Sequence, residues 1–432
     1  MFRPVTTALP STIDVAVIGA GAAGISAARR LMKAGVSVVL LEARRRVGGR
    51  AWTVETAGHG LDMGCGWLHS ADENPLDSLV VPQGLTLDET PPPWGAEPAF
   101  GLGLNAEERS AFRTAFDDFD DRIAEAARRG EDLPASDLFA PDLRWNARMD
   151  AVSGALNGAR FAEVSTIDYD RYRDTGVNRR VVEGYGALVS KLSVGLPVAL
   201  DCTVTLIDHS GPSVVVETSR GRIECRAVII TLPTSLLADG GVRFAPPLPD
   251  LAETAAGAPL GLASKVHLSL SGWEEFPVDS QLWGRADTPE TGGYHTRPFG
   301  RPMIEAYFGG ALAWGLEAEG QAALADFAIS ELVELLGSDM RRRLEPLAVS
   351  MWGLDPFAGG AYSHCLPGQA DARQRLRMPI DDRLFVAGEA TSETFYGTAH
   401  GAWIEGERAA LEVMSALYVD RWDSEPRPDE DQ

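Results

Sequence analysis

Cysteine is scarce. Cys65, Cys202, Cys225 and Cys365 are the only four in 432 residues, and none stands in a C-x-x-C or paired spacing. Such scattered thiols fit a reducing compartment and indicate neither a disulfide framework nor a zinc site. Lysine is scarcer still, present only at Lys33, Lys191 and Lys265, while every other basic position is Arg. Positive charge is short altogether: 39 Lys and Arg face 62 Asp and Glu, a formal net charge of -23. That balance argues against a nucleic-acid partner, which would require clustered positive charge, and mildly favours small cations. No run of about 18 apolar residues occurs, so no membrane-spanning helix is expected. The opening "MFRPVTTALPSTIDVAVIG" shows no apolar signal core, so a cytoplasmic location is expected.

What is present points to a folded protein of two or three domains, since 432 residues exceed one compact core. The most informative stretch is "DVAVIGAGAAGISAARRLMKAGVSVVLLEAR". Val15–Ile18 reads as a strand, Ala22–Lys33 as a helix and Val36–Leu41 as a second strand ending at Glu42. Between them Gly19, Gly21 and Gly24 supply G-x-G-x-x-G. Gly19 permits the tight turn, Gly21 lets the backbone approach a pyrophosphate, and Gly24 lets helix and strand pack closely. The helix N-terminus offers free N–H groups to the phosphates. Glu42, about twenty residues on, can accept both ribose hydroxyls. This unit alone leaves NAD and FAD open. The following "RRRVGGR", Arg44–Arg50, adds a second glycine pair and basic residues beyond the ribose site, which suits the longer FAD.

Near the other end, "LFVAGEATSETFYGTAHGAWIEGERAA" reads as a strand over Leu384–Ala387, then Gly388-Glu389, a polar loop, and a helix from about His400. The carboxylate could hold ribityl or pyrophosphate-side groups. The helix start could face the flavin pyrimidine, where negative charge gathers on reduction.

Taken in order, "LEARRRVGGR", "DMGCGWLH", "VVEGYGAL", "IITLP", "SKVHLSL", "MWGLDPFAGGAYSHCLPG" and "LFVAGEATS…YGTAHGAWIEGERAA" resemble the flavin-dependent amine oxidases. That family includes monoamine, polyamine and L-amino-acid oxidases and lysine-specific histone demethylases. The resemblance covers most of residues 13 to 415 and is thinnest at about 76–165 and 272–300. It implies an α/β fold: a Rossmann-like FAD-binding domain from segments 1–78, 182–265 and 350–420, with an α+β substrate-binding domain from 79–181 and 266–349. Residues 421–432 read as an acidic, disordered tail.

The resemblance also implies roles. FAD is held by Gly19, Gly21, Gly24, Glu42, Ala43, Arg44, Gly49, Arg50, Gly66, Trp67, Val204, Trp352, Gly388, Glu389, Gly401 and Ala402, with Val204 touching adenine through its backbone. Lys265 is placed near flavin N5, holding a water that a planar guanidinium would crowd. Tyr362 and Trp403 are expected as the two walls of an aromatic slot that orients the amine. Ala361 stands where monoamine oxidases carry the flavin-linking cysteine, and Cys365 lies four residues away, so FAD is expected to be noncovalent. His69 and Thr398 are the substrate-side candidates, and roles for Cys65 and Cys365 are left open.

The implied reaction moves a hydride equivalent from the carbon beside an amine nitrogen to the flavin. The imine is then hydrolysed to an aldehyde or ketone, and dioxygen leaves as hydrogen peroxide. The expected partners are thus a small amine and dioxygen. Monomer and homodimer both remain open. The chain has no room for the demethylases' long helical insertion or extra domain, which argues against histone substrates. An L-amino-acid oxidase, a desaturase of the same fold, or a noncatalytic flavin-binding protein are the alternatives.

Overall fold

A computed structural model describes residues 3–4, 9–95, 100 and 102–424. The residues just read as a nucleotide unit form the centre of a nine-stranded sheet. Strand Thr12–Ile18 pairs in parallel with Val38–Leu41 on one side and Gly221–Ile230 on the other. Val38–Leu41 is entirely buried, as expected for a parallel strand covered on both faces. Pro197–Ala199 and Arg3–Pro4 extend the sheet in parallel beyond Val38–Leu41.

The ten-residue strand Gly221–Ile230 serves two partners along one edge. Its first half pairs antiparallel with Val214–Thr218, and its last three residues pair in parallel with Leu384–Val386. Segments from both ends of the chain and from its middle therefore meet in one sheet. Helices cover it. The C-terminal helix Ala399–Ser424 lies on Ala22–Lys33 so closely that a Cβ at Gly406 would stand 2.1 Å from the Ala23 carbonyl. That helix runs on to Ser424, into the tail expected to begin at 421; residues from 425 lie outside the described ones.

A second, five-stranded antiparallel sheet is built from 263–349, in the order Ser280–Trp283, Gly293–Thr296, Met303–Gly309, Ala263–Leu270, Leu344–Val349. The domain boundary expected at 265/266 thus falls inside a strand, and Lys265 belongs to this sheet. Alternation decides which side chain goes where. Val266, Leu268, Ile304, Ala306 and Phe308 point to an apolar core under helices Gly310–Glu319 and Gln321–Leu336. Lys265, Glu305 and Tyr307 therefore point the other way.

The remaining roof is helical. Ala106–Arg128 opens with a capping box: Asn105 accepts from the Glu108 N–H while Glu108 accepts from the Asn105 N–H. It packs beside Asn146–Asn157 through a cluster that includes Phe119, Phe161, Trp145 and Met149.

Candidate active site

One cavity of about 1090 Å³ runs from the glycine-rich turn to the helical roof. It exceeds the usual volume for one small ligand, about 300–1,000 Å³, and so has room for a long cofactor with a substrate beyond it.

At its inner end the three motif glycines differ. Gly19 has φ +102°, and a Cβ there would stand 2.5 Å from Thr231 Oγ1. At Gly24 a Cβ would collide with the Gly19 carbonyl at 1.9 Å, and Gly24 does not reach the cavity: it is a packing residue. Gly21 lines the cavity, and a Cβ there would find no protein atom nearer than 3.9 Å, leaving a free approach for a ligand. Gly48, the first of the second glycine pair, lines the cavity with Gly49, bridges to Gly21 and donates its N–H to the Ala20 carbonyl. Glu42 is buried at the end of the second strand and accepts from the Ala20 and Arg44 N–H groups, which fixes its carboxylate facing the cavity. Ala43, Arg44, Gly49 and Val204 line the same end. A cradle without side chains, a helix start and a fixed carboxylate match a dinucleotide's pyrophosphate and ribose.

A seam joins the two ends of the chain. Arg50 donates to Glu389 Oε1 at 2.9 Å and to the Ala361 carbonyl at 2.8 Å. Glu389 also accepts from Ser363 Oγ and the Gly397 N–H. Burial would raise its pKa, but Arg50 and the hydrogen bonds hold it low. The carboxylate is thus largely spent inside the protein, and Glu389 acts first by positioning Arg50. Gly388, Ala361 and Ala402 line the cavity beside it. Trp352 is buried there, with Nε1 donating to the Met63 carbonyl.

Lys265 reaches the cavity from the five-stranded sheet. Its Nζ lies 3.3 Å from Glu305 Oε1, and Gly66 is so close that a Cβ would stand 3.0 Å from Nζ. Burial opposes the ammonium, yet the Glu305 and Asp62 charges raise its pKa above the ordinary value. Glu305, although buried, is pulled down to about 2 by Lys265. The charged pair is therefore stable at neutral pH. Asp62 is anchored by Thr53 Oγ1 and the Tyr185 and Gly186 N–H groups. Trp67 packs edge-on against Trp94, with the Arg180 guanidinium 4.9 Å from its ring.

Tyr362 faces this point, its hydroxyl donating to the Ala155 carbonyl at 2.5 Å and meeting the Tyr307 hydroxyl at 2.9 Å. The expected second wall is not where the sequence placed it. Trp403 is buried in the apolar layer with Ile25 and Ala28, and its carbonyl accepts from Ser26 Oγ. It holds the two covering helices together. Thr398 and Ala399 line the cavity instead, one turn earlier in the chain. Gly401 also sits off the cavity, because the Phe395 carbonyl stands where its Cβ would be, at 2.0 Å. The aromatic pair facing the cavity is Tyr362 with Tyr307. His69 lines the cavity, its Nδ1 2.7 Å from Asn178 Oδ1, and burial lowers its pKa. Cys65 lines it too, its thiol pushed up to about 12 by burial, and Cys365 is buried with its N–H donating to Asp168.

Glu305, Tyr307 and Asp62 were missed from sequence. In "MIEAYFG" the alternation Glu305–Ala306–Tyr307 is the signal that puts the two polar groups on one face. Among the described residues no helix is long and apolar enough to cross a membrane, and no cluster of His, Cys, Asp or Glu could hold a metal.

Fold and cavity together define a dinucleotide-binding oxidoreductase architecture in which a second sheet lines the same cavity as the glycine cradle. Residues 22–93 and 94–414 match the family described as flavin containing amine oxidoreductase. The chain belongs to that family and is an FAD-dependent amine-oxidising enzyme. It is 30% identical to polyamine oxidase 2 of Arabidopsis thaliana, over 92% of this chain and 87% of that one. It is 27% identical to lysine-specific histone demethylase 1 homolog 3 of Oryza sativa subsp. japonica, covering 54% of the latter. In fold it is similar to putrescine oxidase bound to putrescine, with a TM-score of 0.76, 20% identity and 94% and 99% of the two chains covered. Cyclohexylamine oxidase from Brevibacterium oxydans IH-35A is similar at a TM-score of 0.74, with 20% identity and 95% and 100% covered.

Proposed function

We propose that the chain binds FAD without a covalent link and oxidises a small primary or secondary amine to an imine, which water converts to an aldehyde or ketone while dioxygen is reduced to hydrogen peroxide. The observation that carries this reading is the Lys265–Glu305 pair, charged and fixed in the lining of the cavity that also holds the glycine cradle and the two tyrosines. Gly21, Glu42 and Val204 would hold the adenine half of the cofactor. Arg50, Gly66, Trp67 and Trp352 would surround its ring end. Ala361 presents only a methyl group there, which offers no sulfur for a bond.

When bound, the flavin supplies the two-electron acceptor for the C–H bond beside the amine nitrogen. The protein's part is placement. Tyr362 and Tyr307, locked on the Ala155 carbonyl, form a fixed wall against which the amine is oriented. Lys265 offers an ammonium donor beside the reacting centre, and Glu305 keeps that side chain from swinging away. The apolar side chains of the roof nearest the tyrosines, such as Val152 and Leu156, would limit water there and lower the cost of binding the amine neutral.

Polyamine oxidase 2 is named for polyamines, the demethylase homolog for histone lysine, and the structural neighbours for putrescine and cyclohexylamine. What these names share is an amine. The test is anaerobic mixing of the flavin-loaded protein with a primary alkylamine, an arylalkylamine, spermidine and an L-amino acid. Bleaching of the visible flavin band is expected with at least one. Full retention of the band with every amine would remove the oxidase reading and leave a desaturase or binding role on the same fold.

A further inference from the structure

We infer that the far end of the substrate carries a carboxylate, held by Arg148 two helical turns from the oxidised carbon. The inference rests on the amine-oxidase reading above and adds a substrate class to it.

Helix Asn146–Asn157 lays one face along the cavity, through Arg148, Ala151, Val152, Ala155 and Leu156. The Ala155 carbonyl receives the Tyr362 hydroxyl, which marks the reacting end. Arg148 lies seven residues earlier, about 10 Å along the axis at 1.5 Å per residue. The helix therefore serves as a ruler from the tyrosines to the guanidinium.

Arg148 is built to receive something. Its Nε is buried and has no hydrogen-bond partner, and among the described residues no carboxylate pairs with it. Aromatic rings flank it, with the guanidinium 5.0 Å from the Phe112 ring and 5.7 Å from that of Trp283. Rings at those distances restrain the side chain without satisfying its N–H donors, which leaves the guanidinium fork for a two-pronged anion. Burial lowers the guanidinium's pKa, a cost that an arriving anion would offset.

The rest of the roof agrees. Segments 79–181 and 266–349 also contribute Arg113 to the lining, together with Asp117, while the Arg285 and Glu305 charges there are paired with Asp287 and Lys265. The second ammonium of a long dication would face the Arg148 guanidinium at this end.

The test compares three homologous series at each chain length: ω-amino carboxylates, neutral alkylamines and α,ω-diamines, read as the rate of anaerobic flavin bleaching over concentration. The carboxylates are expected to exceed diamines of the same length by about tenfold or more, the scale of a charge-assisted hydrogen bond, with an optimum in chain length. In Arg148→Gln the carboxylate-to-neutral ratio should fall towards one, and in Arg148→Glu the diamines should overtake. A native preference for diamines, or an unchanged ratio in Arg148→Gln, would overturn the inference. If no amine bleaches the flavin, the oxidase reading fails separately. Arg148 is then judged by titrating the holoenzyme with an unreactive aryl alkanoate. A flavin spectral shift lost in Arg148→Gln supports the anion site, and equal binding by both proteins refutes it.

Discussion

Lys265 and Glu305 occupy diagonal positions on two antiparallel strands: Lys265 stands opposite Tyr307, Glu305 opposite His267, and Nζ reaches Oε1 at 3.3 Å. The sheet register, not a local motif, sets this contact. Breaking a buried pair from one side leaves an uncompensated charge and costs about 3–5 kcal/mol. Lys265→Met and Glu305→Gln should each destabilise on that scale in urea unfolding, and the double variant by less than their sum. Additivity would show that the pair is not coupled. The pH sign follows from Glu305, whose pKa falls from 4.5 to about 2 on folding. Its stabilisation is complete above the unfolded value and is lost as pH drops through the folded one. Wild type should therefore lose more stability than Glu305→Gln between about pH 4.5 and about pH 2.

The glycine motif separates into two functions that mutagenesis can tell apart. Gly24→Ala forces a Cβ against a backbone carbonyl at 1.9 Å, so the protein should fail to fold or lose several degrees in Tm. Gly21→Ala meets no protein atom closer than 3.9 Å, so it should fold normally yet purify with little flavin. Equal flavin content in Gly21→Ala and wild type would show that nothing approaches the backbone there.

Tyr362→Phe removes the donor to the Ala155 carbonyl and one partner of the Tyr307 hydroxyl. A loss of about 1 kcal/mol in stability is expected. Because the ring stays, KM should change little while the rate of flavin reduction drops several-fold. A fall in binding alone would assign Tyr362 to packing.

The rate of flavin reduction should rise with pH through one ionisation, and that ionisation should belong to the substrate. Burial takes His69 down, and Tyr307 and Tyr362 up, while neighbouring carboxylates take Lys265 up. None of these four is moved toward service as a base near neutrality. Changing to an amine of lower pKa should shift the profile by the same amount. A profile that stays put would implicate a protein group.

Acid precipitation should leave the flavin in the supernatant, since Ala361 carries no nucleophile. Flavin pelleting with the protein would point to another attachment.

The nucleotide end was legible because its chemistry is local: strand, glycines, helix and Glu42 follow one another in sequence. The floor was half legible. Lys265 stood out as one of three lysines, but Glu305 lies forty residues on, and only pairing between strands brings it near. Trp403 was misplaced by helical phase. It follows the cavity-lining Ala402 by one residue, which turns a side chain by about 100° and here sends it against Ile25. Arg148 lay where the resemblance was thinnest, on a helix whose apolar spacing could not say which face meets a cavity.

The fork in strand Gly221–Ile230 has a consequence for how the protein is made. The glycine turn is local in sequence, but its sheet is completed by Leu384–Val386 and its helix is covered by Ala399–Ser424, both hundreds of residues further along. Such remote pairings are slow to form. A cradle written in about thirty consecutive residues is therefore finished only by long-range pairing, so flavin capture should lag behind formation of the local turn.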